Sequence, residues 1–388
     1  MYLKRIVSVS LLFVLLLVIS CTPDKASRPV QGVTTPIPVR QISQESWEIR
    51  WERTLQAAQK EGKVVIYASS VAPALKDSLK VVKQKFGLDL DVIGGRGSEL
   101  RGKLVQERTN GIFLVDIFIS GANTIFGVVK SSGAAEPMEP ALMLPEVLDS
   151  KLWYNGELPW LDEEKKVFSM YQYPVNIVTV NSDMVKPDEI KSYYDLLEPK
   201  WRGKVLLNDP TVTGIGFNSF SALVLNKALD LDFFRQLASH QNPILRDQRL
   251  QVDWLARGRY PVALWARSVH VAEYQQAGAP VAYAYPKEGT HLSTDGGNVV
   301  LVNKAPHPNA ARIFLNWLLS KEGQTFMQEG LLQQSAREDI PTKSIGTESL
   351  RQTGKKYLID PNDSERWVLE EQSKYLEMAQ QIFGPLLR

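Results

Sequence analysis

Apolar residues first recur at helical spacing near residue 47. Trp47, Trp51, Leu55 and Ala58 lie three or four positions apart and so share one face of a helix. Gly62 follows soon after, and glycine is common just beyond the last turn of a helix. The pattern therefore predicts an amphipathic helix that ends before Gly62.

A short apolar run followed by a helical stripe recurs three times in the next part of the chain. The runs at 63–68, 88–93 and 115–119 have the length and apolar content of buried strands. A stripe at helical spacing follows each run. Strands and helices in alternation predict a parallel sheet that is covered by helices on both faces.

Further strands are predicted in the second half of the chain, with helices between them. They cover residues 177–180, 205–207, 262–265 and 299–302, and a last amphipathic helix is predicted at 364–383. Eight or so such units exceed what one compact lobe of roughly 150 residues holds. The sequence thus predicts an α/β fold with two sheets.

Composition excludes several classes of protein. The chain has 388 residues, of which 44% are apolar and 23% charged, and this balance is typical of a folded protein rather than a disordered one. Without Lys4 and Arg5, 43 basic and 43 acidic residues remain, so nucleic acid is not predicted as a partner. A single cysteine excludes a disulfide framework and a cysteine-based zinc site.

The N-terminus has the pattern of an export signal. Lys4 and Arg5 precede an uncharged run at 6–20, which is shorter than the roughly 20 residues of a spanning helix. A single membrane anchor is the alternative. Residues 18–21 resemble the lipobox of bacterial lipoproteins, which implies cleavage before Cys21 and acylation of its sulfur. We therefore expect a signal peptide at 1–20, a flexible tether at 21–46 and an extracytoplasmic protein anchored to the membrane.

Polar residues follow several predicted strands. In open α/β sheets, ligands bind at the carboxyl ends of strands, near helix N-termini that favour anions. For the serines the alternative is a plain helix cap, and for the arginine a solvated loop charge. The G-x-G-x-x-G spacing of dinucleotide sites is absent at 94–98. The candidates at these strand ends are Ser69, Ser70, Arg96, Ser98, Ser120, Thr213 and Gly214.

Several phrases resemble those of extracytoplasmic solute-binding proteins of the ferric-iron type. The resemblance runs from about residue 47 to about 340. It implies a type 2 periplasmic-binding-protein fold with two lobes, a ligand cleft between them, a monomeric protein and delivery of a small solute to an ABC permease. The phrases begin at Trp51, Asp116, Val180, Asp195, Asn303 and Leu315.

The same resemblance implies where the chain passes between the lobes. Lobe one would comprise 47–172 with a return segment at 292–330, and lobe two 173–291 with the C-terminal segment 331–388. The crossings would lie near residues 171–175 and 289–297. Tyr171 and Tyr173 would either close over the ligand or pack the hinge.

The chain departs from ferric binders at their metal ligands. Those proteins hold iron chiefly with two adjacent tyrosines after the strand that is here 262–265, often helped by a histidine and a glutamate. Here the tyrosine pair is replaced within 266–270, and Val71 and Gly121 stand at the other two positions. The pair Tyr193–Tyr194 is predicted to pack on the surface. The four histidines lack ligand spacing, so neither a metal site nor a cofactor is predicted.

Three other residues stand where the tyrosines would be. Trp265, Arg267 and Ser268 combine a planar ring, a guanidinium fork and a hydroxyl. Such a set suits an organic ligand with a carboxylate, phosphonate or phosphate. As alternatives, Trp265 belongs to the core and Arg267 pairs with Glu273.

The function predicted from these features is that of a lipid-anchored solute-binding component of an ABC importer, with a small organic anion as solute. One alternative is a ferric iron transport protein with other ligands. Another is an exported lipoprotein that senses a ligand. An exported enzyme is not favoured, because the motifs G-x-S-x-G, S-x-x-K and H-E-x-x-H are missing.

Overall fold

The computed structural model describes residues 45–387, with gaps at 176–177, 295, 348–349, 353 and 362–363. The predicted signal peptide, the lipidation site at Cys21 and the tether up to residue 44 lie outside the described residues. In the part that is described, no helix combines the length and the apolar character needed to cross a membrane.

The described strands form two large sheets and one short ladder. The sequence prediction of an α/β fold with two sheets is confirmed. The strands are β1 Lys63–Ala68, β2 Asp89–Gly94, β3 Ile117–Ser120, β4 Ala135–Glu136, β5 Phe168–Ser169, β6 Tyr173–Pro174, β7 Val178–Asn181, β8 Val205–Asn208, β9 Ile244–Leu245, β10 Val262–Leu264, β11 Val281–Ala284, β12 Leu292–Ser293 and β13 Asn298–Val302.

The α-helices lie mostly between these strands. They are α1 Trp47–Glu61, α2 Ala72–Asp77, α3 Leu79–Phe86, α4 Gly97–Thr109, α5 Ala122–Thr124, α6 Pro145–Leu148, α7 Ile215–Leu225, α8 Leu231–Ser239, α9 Gln248–Ala256, α10 Ser268–Gln276, α11 Pro308–Leu319, α12 Lys321–Leu331 and α13 Gln372–Phe383. We call the first sheet with α1–α6, α11 and α12 lobe one, and the second sheet with α7–α10 lobe two.

The first sheet has the order β2-β1-β3-β13-β4, and β5 also pairs with β13. β1 runs parallel to β2 and β3, as predicted for three strand–helix units. β13 joins antiparallel, with Val300 opposite Phe118, so the sheet as a whole is mixed. The reason is that β13 returns from lobe two rather than following a helix from its neighbour.

The second sheet has the order β11-β7-β10-β8-β9. β8, β9 and β10 are parallel, whereas β7 runs antiparallel to β10 and β11. The chain crosses between the two sheets along the ladder of β6 with β12, in which Tyr173 lies opposite Ser293. The two crossing segments therefore run side by side along this ladder.

Local signals account for the ends of several helices. Ser46 accepts a hydrogen bond from the Ile49 N–H at the start of α1, and Gly62 ends it in the left-handed region at φ 78°. The helical stripe predicted from Leu75 to Phe86 forms two helices. They meet at Ser78, whose hydroxyl donates to the Leu75 carbonyl.

Candidate functional site

A cavity of about 590 Å³ lies where the strand ends of the two lobes face each other. We call it the cleft. Eight of the twelve residues predicted to bind a solute line it, namely Ser69, Ser70, Arg96, Ser98, Ser120, Thr213, Gly214 and Arg267. The structure thus brings these residues together, and their contact with a solute stays a prediction.

The lobe-one wall forms because three strands end at the same edge. The Ser69 N–H donates to the Ile119 carbonyl at 3.0 Å, and the Gly95 N–H donates to the Ala68 carbonyl at 3.3 Å. These bonds hold the loop after β1 against β3 and the loop after β2 against β1. α4 then begins at Gly97, whose Cα lies so close to Thr124 that a side chain there would collide with the threonine hydroxyl. Glycine thus permits the start of α4 to reach the floor of the cleft.

The lobe-two wall is the loop before α7 and the start of that helix. Asp209 shapes the loop, because its Oδ1 accepts from the N–H and the hydroxyl of Thr211 at 2.8 and 2.6 Å. Its Oδ2 accepts from the Arg246 Nε at 2.8 Å. No side chain caps the N-terminus of α7. Gly214, which precedes α7, and Asn218 in its first turn line the cleft, so this helix begins at the cleft wall.

Arg267 links lobe two to the crossing segment. It precedes α10 and is half-buried. Gly296 lies between Arg267 and Ser70: a Cβ atom at 296 would stand 3.8 Å from the Arg267 Nη2 and would overlap the Ser70 hydroxyl. The crossing glycine, with φ 82°, thus lets residues of both lobes approach each other at the hinge side of the cleft.

The lining of the cleft is rich in arginines and hydrogen-bond donors, and one of the arginines, Arg96, also lies 3.7 Å from a carboxylate oxygen of Glu99. The described lining contains Arg96, Arg101 and Arg267 and neither an aspartate nor a glutamate. The remaining lining is serine, threonine, amide and glycine. α4, α7 and α10 begin there, and a helix N-terminus attracts negative charge. Such an arrangement is suited to an anion that accepts several hydrogen bonds.

Comparison with known proteins agrees with this geometry. The family model of the bacterial extracellular solute-binding proteins matches residues 64–330. The chain belongs to this family. The matched range covers more than half of the chain and includes every lining residue of the cleft.

Three similar proteins illustrate the relationship of this solute-binding protein to others. Iron uptake protein A1 of Synechocystis sp. is 20% identical over 287 residues, which are 67% of this chain and 72% of that protein. The periplasmic binding protein AfuA of Actinobacillus pleuropneumoniae, solved with exogenous fructose-6-phosphate bound, has a TM-score of 0.65 and 20% identity over 83% of this chain and 99% of its own. IdiA (FutA) of Trichodesmium, solved with iron and citrate ligands, has a TM-score of 0.61 and 22% identity over the same shares.

These similarities confirm two of the predictions from sequence. The fold is the two-lobed, type 2 periplasmic-binding-protein fold. The protein is a bacterial extracellular solute-binding protein of the ferric-binding-protein-like kind. Its family consists of binding proteins rather than enzymes.

Four predicted residues of the solute-binding protein do not line the cleft. Trp265 is buried and packs edge-on against Phe383, with ring centroids 6.3 Å apart, as the alternative core interpretation had it. Tyr171, Tyr173 and Ser268 are also buried. Burial raises the pKa of Tyr171 well above its usual range and so disfavours a metal-binding phenolate. Contact of these four side chains with a solute stays a prediction that the described lining does not support.

Apart from four glycines, five residues that line the cleft were not among the predicted site residues. Arg101 lies one turn after Ser98 on α4, so helical spacing from a predicted residue would have indicated it. Asn123 and Thr124 follow Ser120 within four residues, and Asn218 lies one turn after Gly214 on α7, so local spacing would have indicated them as well. Only Gln248, at the start of α9, reaches the cleft through packing between elements that are far apart in sequence.

The described residues offer little to a metal ion. They contain no group of three or more histidine, cysteine, aspartate or glutamate residues that could hold one. Tyr193 is buried and Tyr194 exposed, and both rings pack edge-on against Phe233, so the predicted packing pair is confirmed. Glu273, the predicted alternative partner of Arg267, accepts a hydrogen bond from Arg249 at 2.8 Å.

Proposed function

We propose that this solute-binding protein is the lipid-anchored component of an ABC importer, that it captures a small organic anion in the cleft and that it delivers the anion to a membrane permease. The observation that carries the proposal is the charge of the described lining, which has three arginines and no carboxylate. A buried carboxylate, phosphonate or phosphate needs such compensation by charge and hydrogen bonds.

Hydrogen-bond donors line the cleft on several sides, and an anion with several oxygen atoms could accept hydrogen bonds from more than one of them. Guanidinium groups can donate two parallel hydrogen bonds to one carboxylate or phosphate. Hydroxyls of Ser69, Ser98 and Ser120 and the first turn of α7 surround the same space. A volume of about 590 Å³ fits a small organic solute rather than a polymer. The sugar phosphate bound to AfuA is a relative's ligand of this chemistry, and it supports the choice of probe.

Ferric iron is the second candidate, since relatives include an iron uptake protein and a protein solved with iron and citrate. Ferric iron prefers negatively charged oxygen ligands. The described lining contains neither a tyrosine nor a carboxylate. Iron would therefore enter with an organic anion that supplies its oxygen ligands, while the arginines hold that anion.

The proposed anchor rests on the lipobox resemblance at residues 18–21. Acylation of Cys21 would keep the protein at the membrane surface, where a permease lies. The stretch up to residue 46 would serve as the tether.

A thermal-shift series with the full chain tests the proposal. The probes are inorganic phosphate, fructose 6-phosphate, citrate, ferric citrate and ferric chloride, and neutral fructose is the matched control. A probe at 100 times its dissociation constant adds about 2.7 kcal/mol to the free energy of unfolding. We expect at least one organic anion to raise the melting temperature and fructose not to.

Two outcomes would overturn the proposal. One is stabilisation and visible colour with ferric chloride alone, because a phenolate–iron site would then be present. The other is stabilisation by a neutral solute such as fructose while every anion in the series is inert.

A further inference from the structure

The C-terminal segment 364–387, which we call the strap, lies beyond the range that the family model matches. It consists of one π-helical stretch, Trp367–Glu371, followed by α13 and a last turn at Gly384–Leu387. The sequence prediction assigned this segment to lobe two. In the structure it contacts both lobes.

Polar contacts hold the start of the strap to lobe one. The Lys130 Nζ lies 2.6 Å from the Glu365 Oε2, and it also pairs with Asp162 and Glu164 at 2.8 Å. The side chains of Lys130 and Asp162 are buried, whereas that of Glu365 is 32% exposed. Val368 packs against the core cluster of lobe one that includes Phe118 and Val300.

Aromatic packing holds the end of the strap to lobe two. Phe383 is fully buried, and its ring centroid lies 6.3 Å from that of Phe220 and 6.4 Å from that of Phe234. The same ring contacts Trp265, two residues before the cleft residue Arg267. Trp367, two residues after Glu365, is also buried, and its ring centroid lies 5.9 Å from that of Phe217 on α7. The strap is therefore packed among lobe-two rings at its start and at its end, whereas its contact with lobe one through Glu365 is polar and partly open to water.

Between these ends, α13 is hydrogen-bonded to both walls of the cleft. The Gln372 Nε2 donates to the Oδ1 of Asn123, which lines the lobe-one wall. The Gln380 Nε2 donates to the Thr211 carbonyl at 3.2 Å, in the loop that leads to Thr213 on the lobe-two wall. Eight residues of α-helix span about 12 Å. One rigid helix thus fixes the separation of two loops that face each other across the cleft.

We propose that the strap is a third connection between the lobes, in addition to the two crossings, and that its lobe-one end detaches when the cleft opens for solute exchange. Gln372 and Gln380 are then positioning residues that hold Asn123 and the loop before Thr213 at the separation seen here. Hinge opening with the strap attached at both ends would break either the Gln372 or the Gln380 hydrogen bond. The role in solute exchange rests on the proposed function, whereas the connection itself does not depend on which solute binds.

Hydrogen–deuterium exchange of the ligand-free full chain tests the strap without any solute. Glu365→Lys places a second positive charge beside Lys130 and should release the lobe-one end. The matched control is Glu370→Lys, which makes the same charge change on an exposed strap residue that pairs only with Arg366 in the described contacts. We expect exchange of the amides at 121–130 and at 211–216 to accelerate by about threefold or more in Glu365→Lys and to stay unchanged in Glu370→Lys.

The exchange rates of the lobe-two amides at 211–216 show whether the strap connects the lobes or whether the Lys130–Glu365 pair only stabilises lobe one. A structural role for Lys130 and Glu365 would accelerate exchange only near 130 and 162, within lobe one. Unchanged exchange at 211–216 in Glu365→Lys would therefore overturn the proposal. If that variant does not fold, Gln372→Leu removes only the hydrogen bond to Asn123 and should give the same two-sided acceleration, and its absence would equally count against the strap. If no anion stabilises the protein in the thermal-shift series but exchange still accelerates at both 121–130 and 211–216 in Glu365→Lys, only the proposed solute class is rejected and the strap stands.

Discussion

The ring of Tyr171 lies directly against the backbone of Gly297. The Met170 N–H donates to the Gly297 carbonyl at 2.9 Å, so the outgoing and returning crossings touch at this point. A Cβ atom at 297 would stand 2.8 Å from the Tyr171 Cε2 and closer still to the ring's Cδ2. Only glycine allows this approach of the two crossings.

Gly297→Ala should destabilise the protein. The added methyl group collides with a fully buried ring, and overpacking of this kind costs about 1–3 kcal/mol. Gly127→Ala is the control, because a Cβ atom there meets nothing within 4 Å. Urea unfolding of both variants checks the difference, and equal midpoints would show that the hinge accommodates the methyl group.

Gly97→Ala and Gly102→Ala form a matched pair on α4. A Cβ atom at 97 would stand 3.0 Å from the Ser120 Oγ and closer to Thr124, whereas one at 102 meets nothing within 4 Å. Alanine at 97 should push the start of α4 away from the cleft floor and weaken solute binding. Alanine at 102 should stabilise the helix by about 0.5–1 kcal/mol and leave binding unchanged. Calorimetric titration with the solute found in the thermal-shift series, together with thermal unfolding, gives both numbers.

Arg267→Ala should weaken binding of an anionic solute by about 2 kcal/mol or more, because the buried anion loses its charged partner. The control is Arg257→Ala, since the Arg257 side chain is 77% exposed and pairs with Asp253 away from the cleft lining. The free energy of unfolding of both variants, measured alongside, separates an effect on folding from an effect on binding. Equal affinities of the two variants for the anion would argue that Arg267 does not hold it.

The free energy of unfolding should decrease when the pH falls below about 7. His291 is fully buried at the crossing, with its Nε2 3.8 Å from the Asp360 Oδ2, and burial lowers its pKa. The unfolded chain takes up this proton near pH 6.5 while the folded chain does not. The contribution of His291 to the free energy of unfolding is therefore fully present above about pH 6.5 and is lost as the pH falls below that value.

Replacing the histidine isolates its share of this effect. His291→Gln cannot be protonated, so its unfolding free energy should decline less between about pH 7.5 and 5.5 than that of the unchanged protein. Burial also lowers the pKa of His240 and His270, so part of the decline should remain. Identical declines in the two proteins, measured by urea unfolding, would contradict the assignment to His291.

Cys21→Ala should abolish lipid attachment, because Cys21 is the only cysteine in the chain. Metabolic labelling with a radioactive fatty acid and fractionation of membranes check this outcome. Cells that express the unchanged chain should yield a labelled membrane protein, and the variant should carry no label. Equal label in both would rule out the lipoprotein assignment.

Local sequence signals were sufficient wherever a feature depends on neighbouring residues. The helix from Trp47 to Gly62 and the strand 63–68 form as predicted, since side-chain periodicity and a terminal glycine act within a few residues. Eight of the twelve proposed site residues line one cleft because parallel strands end at a common edge, which is a rule of topology that sequence order reveals.

Tertiary structure alone decided the features that join distant parts of the chain. The direction of β13 is set by its return from lobe two, and no residue of the strand itself encodes it. Trp265 is predicted as readily for a site as for a core, and its burial in a core that includes Phe383, more than a hundred residues later, is decided by packing. The strap likewise depends on pairs such as Lys130 with Glu365, whose charges are ordinary in sequence. The sequence by itself determined the elements and the edge at which the cleft forms, because these follow from local periodicity and chain order. Packing decided which side chains reach the cleft and what holds it, because long-range contacts leave no periodic trace in a single chain.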